Sequence, residues 1–389
     1  MLQHLFKLMW NKKRAHGLLI VEILASFLVL FGVSSLIIYN LRNHQQPIGF
    51  DYQNVWIVDL RPSDMPDSLQ IEVRRQLKER ALSYPQVEAA SFSTSVTPMS
   101  MSRSNSNLSY KKASTMVDFA TFDEDFARTL RMQVAEGRLF NKADEADQLQ
   151  PVIINRALQE KLFGDEPALG KFLGEGKERR RIVGIMEYFK QRGEYQENTP
   201  VMIQLAKGEE KKWVNNLMIR VKPGTDATFE AQMMRDFGNI AKGWSMDVTY
   251  MEKQRENQHN LVIVPVIIFL VVSGFLLINV ALGLFGILNL NIAKRREEIG
   301  LRRALGATAS GVSRQFVGEI WVLATFGLLI GLIFAGQFPL MNVFDLEAGV
   351  YLLAMLVSVL VIYGIVTLCA LYPSRQAATI QPAMALHEE

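Results

Sequence analysis

Little in this sequence could carry covalent or metal chemistry. Of 389 residues one is cysteine, Cys369, which excludes an intrachain disulfide and a cysteine-based zinc site. It sits inside an apolar run, as a packing residue does. Histidine occurs five times, at His4, His16, His44, His259 and His387, and no pair has metal-ligand spacing. There is no serine nucleophile elbow, and the carboxylates are spread as on ordinary solvated faces. The formal net charge of +3 is too small to point to nucleic acid as a partner. A phosphate loop is missing too. The nearest approach runs from Gly164 to Gly170, Lys171 and Phe172. It has one residue too many, places Asp165, Glu166 and Pro167 in the anion cradle, and ends in a phenylalanine that cannot hold magnesium. The expectation is no catalytic residue, metal ligand or cofactor site in this chain.

What is present is apolar sequence gathered into long runs. Four of them, residues 17–40, 261–292, 316–341 and 349–372, are nearly free of charge. A bilayer core of about 30 Å needs roughly 20 such residues in a helix, and each run supplies them. The first exceeds the roughly 7–15 apolar residues of a cleaved leader and has no small-x-small site before Arg42, so it reads as a retained anchor. Flanking charge orients the set. Lys7, Lys12, Lys13 and Arg14 precede the first run, and Lys294, Arg295, Arg296, Arg302, Arg303 and Arg314 fall around residues 293–315. Residues 342–348 hold Asp345 and Glu347 and no base, and Arg375 follows the last run. The positive-inside rule then puts both termini, the 293–315 connection and the 373–389 tail in the cytoplasm, with 41–260 and 342–348 outside. The predicted fold class is a membrane protein of four transmembrane α-helices, one N-terminal and three C-terminal, with a large α+β extracytoplasmic domain. Ahead of the first span, Leu2, Leu5, Phe6 and Met9 recur at helical spacing beside Trp10 and the bases. That pattern predicts an interfacial amphipathic helix over 1–16.

The outside domain reads as alternating strands and helices. Strands are expected at 54–60, 87–94, 114–119, 152–154, 181–185, 200–204, 217–221 and 246–250, where β-branched and aromatic residues cluster. Helices are expected at 67–83, 123–130, 156–163 and 228–238, the first from Leu69, Val73, Leu77 and Ala81 in register. Two strand-helix-strand units, 54–94 and 217–250, flank a middle section. The Ser/Met/Asn-rich stretch 93–109 reads as a mobile loop.

Residues 293–307 form a charged segment with an apolar knob. Glu298 and Arg302 stand four apart, Leu301, Ala304 and Leu305 follow, and Gly306 is placed to cap a helix. On charge alone this suits either an anchor to lipid head groups or a helix that docks into a groove of another protein. Glu22 and Glu319 lie in apolar runs near their cytoplasmic ends, where snorkelling or pairing with Arg295, Arg296 or Arg314 is expected ahead of a role in moving protons or ions, since no acidic or histidine partner sits deeper. Gly327 and Gly331 form a small-xxx-small pair for close helix packing, within the bundle or across a dimer.

Several motifs resemble one family. Val117-Asp118-Phe119, Glu136-Gly137-Arg138-Leu139-Phe140, Val152-Ile153-Ile154-Asn155, Leu162-Phe163-Gly164, Ala168-Leu169-Gly170-Lys171 and Arg181-Ile182-Val183-Gly184-Ile185 resemble the periplasmic core of MacB-type permeases, in order. The run from Arg295 to Ala307, RREEIGLRRALGA, resembles the FtsX-like permease signature more sharply. It is joined by Tyr372-Pro373-Ser374-Arg375-Gln376-Ala377-Ala378 and Pro382-Ala383-Met384-Ala385-Leu386. Ser374 and Gln376 stand where that family usually has Ala and Arg. The resemblance implies a permease subunit of a mechanotransmission-type ABC system in a bacterial inner membrane. ATP and magnesium would belong to a separate cytoplasmic ATPase, and a second permease chain, identical or paralogous, would complete the complex. A periplasmic adaptor and membrane lipid are further partners, and the substrate class (drug, toxin, peptide or lipoprotein) stays open. The resemblance makes 293–315 the coupling segment, with Glu297, Glu298, Gly300, Arg302, Arg303, Leu305 and Gly306 as its contact residues. An FtsX-like transducer that regulates an extracytoplasmic enzyme without transport is the alternative.

Overall fold

The computed structural model describes residues 13–174 and 179–378. They divide into two compact units, one of residues up to 42 and from 263 onward, the other of residues 43–262. The chain opens on α1 (Lys13–His44). The inserted unit then runs β1 (Val55–Arg61), α2 (Asp67–Leu82), β2 (Val87–Ser93), β3 (Asn105–Tyr110), β4 (Ala113–Phe122), α3 (Phe126–Thr129) and β5 (Glu136–Gly137). β6 (Gln150–Asn155), α4 (Arg156–Phe163), β7 (Phe172–Leu173), β8 (Arg180–Met186), β9 (Val201–Leu205), β10 (Asn216–Val221), α5 (Ala227–Ile240) and β11 (Ser245–Tyr250) complete it. The chain returns through α6 (Met251–Lys294), α7 (Arg296–Ala304), α8 (Ala309–Ala335), the one-turn α9 (Gln337–Leu340) and α10 (Ala348–Ala378).

Among the described residues, four helical stretches are long and apolar enough to cross a membrane: α1, α6, α8 continued by α9, and α10. α1 buries Leu19, Ile23, Phe27, Leu30 and Phe31, one stripe at helical spacing. α8 meets it with Phe316, Ile320, Leu323 and Leu328, and α10 with Tyr351, Ala354, Ile362 and Val366. α6 contributes buried Val280, Leu284 and Leu288, with Leu277, Ile287 and Ile292 packed against the cluster. Many of its earlier apolar residues, among them Ile267, Phe269, Val271 and Phe275, are turned outward.

The inserted unit is built on one mixed sheet in the order β11-β1-β10-β2-β4-β9-β6-β8-β5, with β3 on β4 and β7 on β8. The two strand-helix-strand units interleave, because β10 pairs antiparallel with both β1 and β2. β1 shows why these strands are apolar throughout. Trp56, Val58 and Leu60 face the core under α2 and α5, while Val55 and Ile57 face a second core with Phe122, Phe126 and Phe189. α4 covers a third core with Leu158, Leu162 and Phe163 against Val152, Ile154 and Ile182.

Several expectations need correction. The stretch 93–109 is not all loop, since 105–110 form β3, paired with β4 from Asn105↔Asp118 to Tyr110↔Ala113. Its sequence is polar because in β3 only Leu108 is buried. The helix expected at 123–130 shrinks to Phe126–Thr129, because the Asp123 carboxylate takes the Phe92 and Asp125 amides and holds the preceding chain outside the helix. The 293–315 connection is helical almost throughout, and α8 starts at Ala309 because the Thr308 hydroxyl accepts from the Gly311 amide. The interfacial helix expected over 1–16 and the motif at 382–386 lie outside the described residues, except that 13–16 open α1.

Candidate functional site

α6 ends at Lys294, and Arg295, with φ −112° and ψ 17°, breaks the helix before α7. The Arg295 guanidinium meets the Glu319 carboxylate of α8, Nη1 to Oε1 at 3.0 Å. This is the pairing expected for Glu319. Glu22 behaves differently, half-buried against α6 with Oε2 3.1 Å from where a Cβ on Gly283 would stand.

α7 carries its charges where its dipole favours them, Glu297 and Glu298 in the first turn and Arg302 and Arg303 in the last. Its end is a Schellman motif: Ala307 N donates to Arg302 O at 3.0 Å and Gly306 N to Arg303 O at 3.1 Å. Gly306 has φ +97°, a conformation open to glycine and strained for other residues. One face of α7 is anchored, with Ile299 and Gly300 buried and Ile299 part of the helical core. The other face is presented. Glu297, Glu298, Arg302 and Gly306 are exposed, and so are Leu301 at 52% and Leu305 at 80%. Glu298 pairs with Arg302, whose Nη1 also donates to Gln315 Oε1 at 2.9 Å. The seven expected contact residues therefore fall together on α7 and its cap, with Gly300 facing inward. The arrangement presents an apolar knob ringed by oriented charge. Among the described residues, no group of three or more His, Cys, Asp or Glu could hold a metal ion.

Gly327 and Gly331 lie elsewhere, on the face of α8 that meets α1. A Cβ on Gly327 would stand 3.0 Å from Ile23 Cγ2 and 3.2 Å from the Ile20 carbonyl oxygen. Both glycines lie in close contact with α1 of the same chain. Two contributors escaped sequence reasoning: Gln315, and Ser313, whose Oγ donates to Ser374 Oγ at 2.9 Å and ties the first turns of α8 to the end of α10. Ser374 is fully buried and donates to Leu371 O at 3.1 Å, so the hydroxyl at this atypical position is satisfied on both sides. Lys171 is held by Glu166 and lies over the rings of Tyr110 and Phe163. Gly170, at φ +79°, sits in the turn that Lys171 N closes onto Ala168 O at 3.1 Å.

These features define a multi-pass membrane protein with a mixed-sheet domain inserted between its first and second spans. A family model described as the MacB-like periplasmic core domain matches residues 24–235, and one described as the FtsX-like permease C-terminal matches 270–382. The chain belongs to this family of MacB-like, FtsX-like ABC permeases. Similar curated proteins include the macrolide export ATP-binding/permease protein MacB of Neisseria meningitidis, 23% identical over 314 residues, covering 77% of this chain and 47% of that protein. MacB of Escherichia coli K12 is 25% identical over 285 residues, covering 68% and 42%. The chain thus spans less than half the length of these relatives. Among solved structures, the periplasmic region of MacB from Actinobacillus actinomycetemcomitans aligns at TM-score 0.38 and 12% identity, covering 56% of this chain and 98% of that one. The extracellular domain of the noncanonic ABC-type transporter YknZ from Gram-positive bacteria aligns at 0.35 and 15%, covering 50% and 100%. Neither matched family model describes a nucleotide-binding domain.

Proposed function

We propose that this chain is the membrane half of an ABC system that turns ATP hydrolysis by a separate cytoplasmic subunit into movement of the inserted domain, for export or extraction of a substrate. The observation that carries this reading is the continuity of α6. One helix of 44 residues starts directly after β11 and stops one residue short of α7. At 1.5 Å per residue its 44 residues amount to about 66 Å of helix, and along the chain it joins the last strand of the sheet domain to α7. In this reading the ATPase seats on Leu301, Leu305 and the charges around them. The inserted domain faces the periplasm, and both termini lie in the cytoplasm beside the inner membrane. Two permease chains, identical or paralogous, complete the complex, because cassette ATPases work as a pair. A periplasmic adaptor and the surrounding lipid are the remaining partners.

The test is co-purification of the tagged chain with its ATPase from native membranes. Wild type should retain the ATPase, and Leu305→Asp should lose it while the chain still inserts with its sheet domain folded. An unmatched charge in a desolvated contact costs several kcal/mol, about 2–5. Full retention of the ATPase by Leu305→Asp and by Glu298→Lys would reduce α7 to a lipid-facing anchor.

A further inference from the structure

The unit of residues 43–262 includes the end of α1 and the first residues of α6. One loop, residues 187–199 between β8 and β9, holds both. Lys190 is fully buried, and its Nζ donates to Asn43 O at 2.6 Å and reaches Gln46 O at 3.4 Å. Asn43 lies in the last turn of α1 and Gln46 two residues beyond it, where the negative pole of the helix dipole favours a cation. The Lys190 amide also donates to Ile48 O at 2.9 Å. Asn43 Nδ2 donates to Tyr195 O at 3.1 Å, and the His44 ring stacks on Tyr195 at 5.3 Å. Tyr195 then turns to the other helix, its hydroxyl 3.0 Å from His259 Nδ1 on α6. One residue earlier, Glu194 pairs with Arg255, whose guanidinium lies over the Tyr52 ring. Gln258 of α6 donates to Met99 O and Ser100 O, both at 3.2 Å, and Met99 N donates to Gln191 O at 2.7 Å. Met99 makes its bonds at φ +65°, and within the loop Gly193, at φ +95°, donates its amide to Lys190 O at 3.0 Å.

We propose that residues 187–199 form a two-helix clamp, with Lys190, Glu194 and Tyr195 as positioning residues that fix the ends of α1 and α6 to the sheet and pass their displacement into it. A buried ammonium bonded only to neutral carbonyls is costly to keep. Burial holds the Lys190 pKa down, to about 8, against a partial offset from Glu194. A packing role would be met at lower cost by an apolar residue. An ammonium is suited to gripping a helix end. The transmission part of the proposal rests on the coupling function above; the clamp itself does not.

The experiment is peptide-resolved hydrogen exchange on the full-length chain in nanodiscs. Lys190→Met should raise exchange about tenfold over residues 42–48 and, through the shared loop, over 253–262, with β6, β9 and β10 unchanged. Tyr195→Phe keeps the ring and carbonyl and should loosen only the α6 end. Exchange unchanged at both helix ends, or raised across the whole sheet, overturns the clamp. With the ATPase bound, ATP should alter exchange in 43–262 of wild type, and Lys190→Met should abolish that response while hydrolysis continues. A wild-type complex without any ATP response overturns the coupling function and the transmission role with it, whereas the nucleotide-free exchange still decides the clamp.

Discussion

The ring of Phe27 on α1 occupies the space that a Cβ on Gly331 of α8 would need, with Cε1 2.9 Å from that position and Cδ1 nearer still. Gly331 is a helix-interior glycine, unfavourable by roughly 0.5–1 kcal/mol relative to alanine, and the contact with Phe27 supplies the reason for it. Gly331→Leu should lower the thermal midpoint of the detergent-purified chain, by the roughly 1–3 kcal/mol that overpacking costs. Gly364→Leu is the control, because nothing lies within 4 Å of a Cβ there. If Gly331→Leu instead left the midpoint alone and changed the oligomeric state, the pair would belong to an interface between chains.

Arg220 on β10 is 2% exposed and saturates three carbonyls: Nε to Thr129 O at 2.6 Å, Nη1 to Gln53 O at 2.8 Å and Nη2 to Asp51 O at 2.6 Å. Asp51 Oδ2 lies 3.2 Å from Nη1 and supplies the countercharge. Arg220→Met should destabilise the inserted domain by about 3 kcal/mol, since three buried carbonyls lose their donor, while the Asp51 carboxylate keeps Arg131, Nη1 to Oδ2 at 3.1 Å. Arg220→Lys should recover little of it, because a point ammonium cannot reach acceptors spread around a planar fork. Urea unfolding of the full chain, followed by the fluorescence of its tryptophans including buried Trp56, reads both.

How much of this was legible follows from where the information is local. The four spans announced themselves, because about 20 apolar residues in a row have few other uses. The helix over 67–83 was found as Asp67–Leu82, though of its expected stripe Leu77 and Ala81 are buried while Leu69 is 55% exposed. β3 was invisible, since Asn-Ser-Asn-Leu-Ser-Tyr carries no strand pattern and its order comes from pairing with β4. The interleaving of β10 between β1 and β2 has no periodic signature either. At α7, the charged run and its cap were readable as a local pattern. The clamp was not, because Lys190 meets Asn43 from 147 residues away and Tyr195 meets His259 from 64.

Stability should respond to pH through Lys190. Its folded pKa is about 8 against an ordinary 10.5, so between those values the unfolded chain binds more protons than the folded one. Stability therefore rises as pH climbs from about 8 to 10.5 and is flat below, where both states are protonated. The full window is worth about 3 kcal/mol at 1.36 kcal/mol per unit. Tyrosines also titrate there, so the quantity to follow is the urea midpoint of wild type minus that of Lys190→Met. A difference independent of pH would contradict the assignment.

Sidedness can be measured with thiols. Ser104 and Ser310 are both exposed, on either side of α6 in the chain, and Cys369 is the single native cysteine. In a Cys369→Ala background, Ser104→Cys should label in intact spheroplasts with a membrane-impermeant maleimide. Ser310→Cys should label only after the membrane is opened, as its flanking bases require under the positive-inside rule. Labelling of both from one side would contradict the arrangement of spans.

Arg295 and Glu319 close the joint where α6 gives way to α7. Arg295 Nη1 reaches both carboxylate oxygens, at 3.0 and 3.2 Å, and the two side chains are 22% and 17% exposed. At that burial an unpaired guanidinium or carboxylate keeps some solvent, so losing either partner should cost about 1–3 kcal/mol, below the value for a fully buried pair. Glu319→Gln and Arg295→Gln should each lower the thermal midpoint of the purified chain. The double variant should cost less than the sum of the two, because the second substitution removes a charge that the first had left unpaired. Strict additivity would mean that the pair contributes nothing beyond packing. Transport separates a further role. If Glu319 carried a proton during the cycle, Glu319→Gln would stop transport with ATPase binding and stability intact, and the double variant would not restore it. If the pair only holds the joint, transport should fall and recover in step with stability across the four proteins of the cycle.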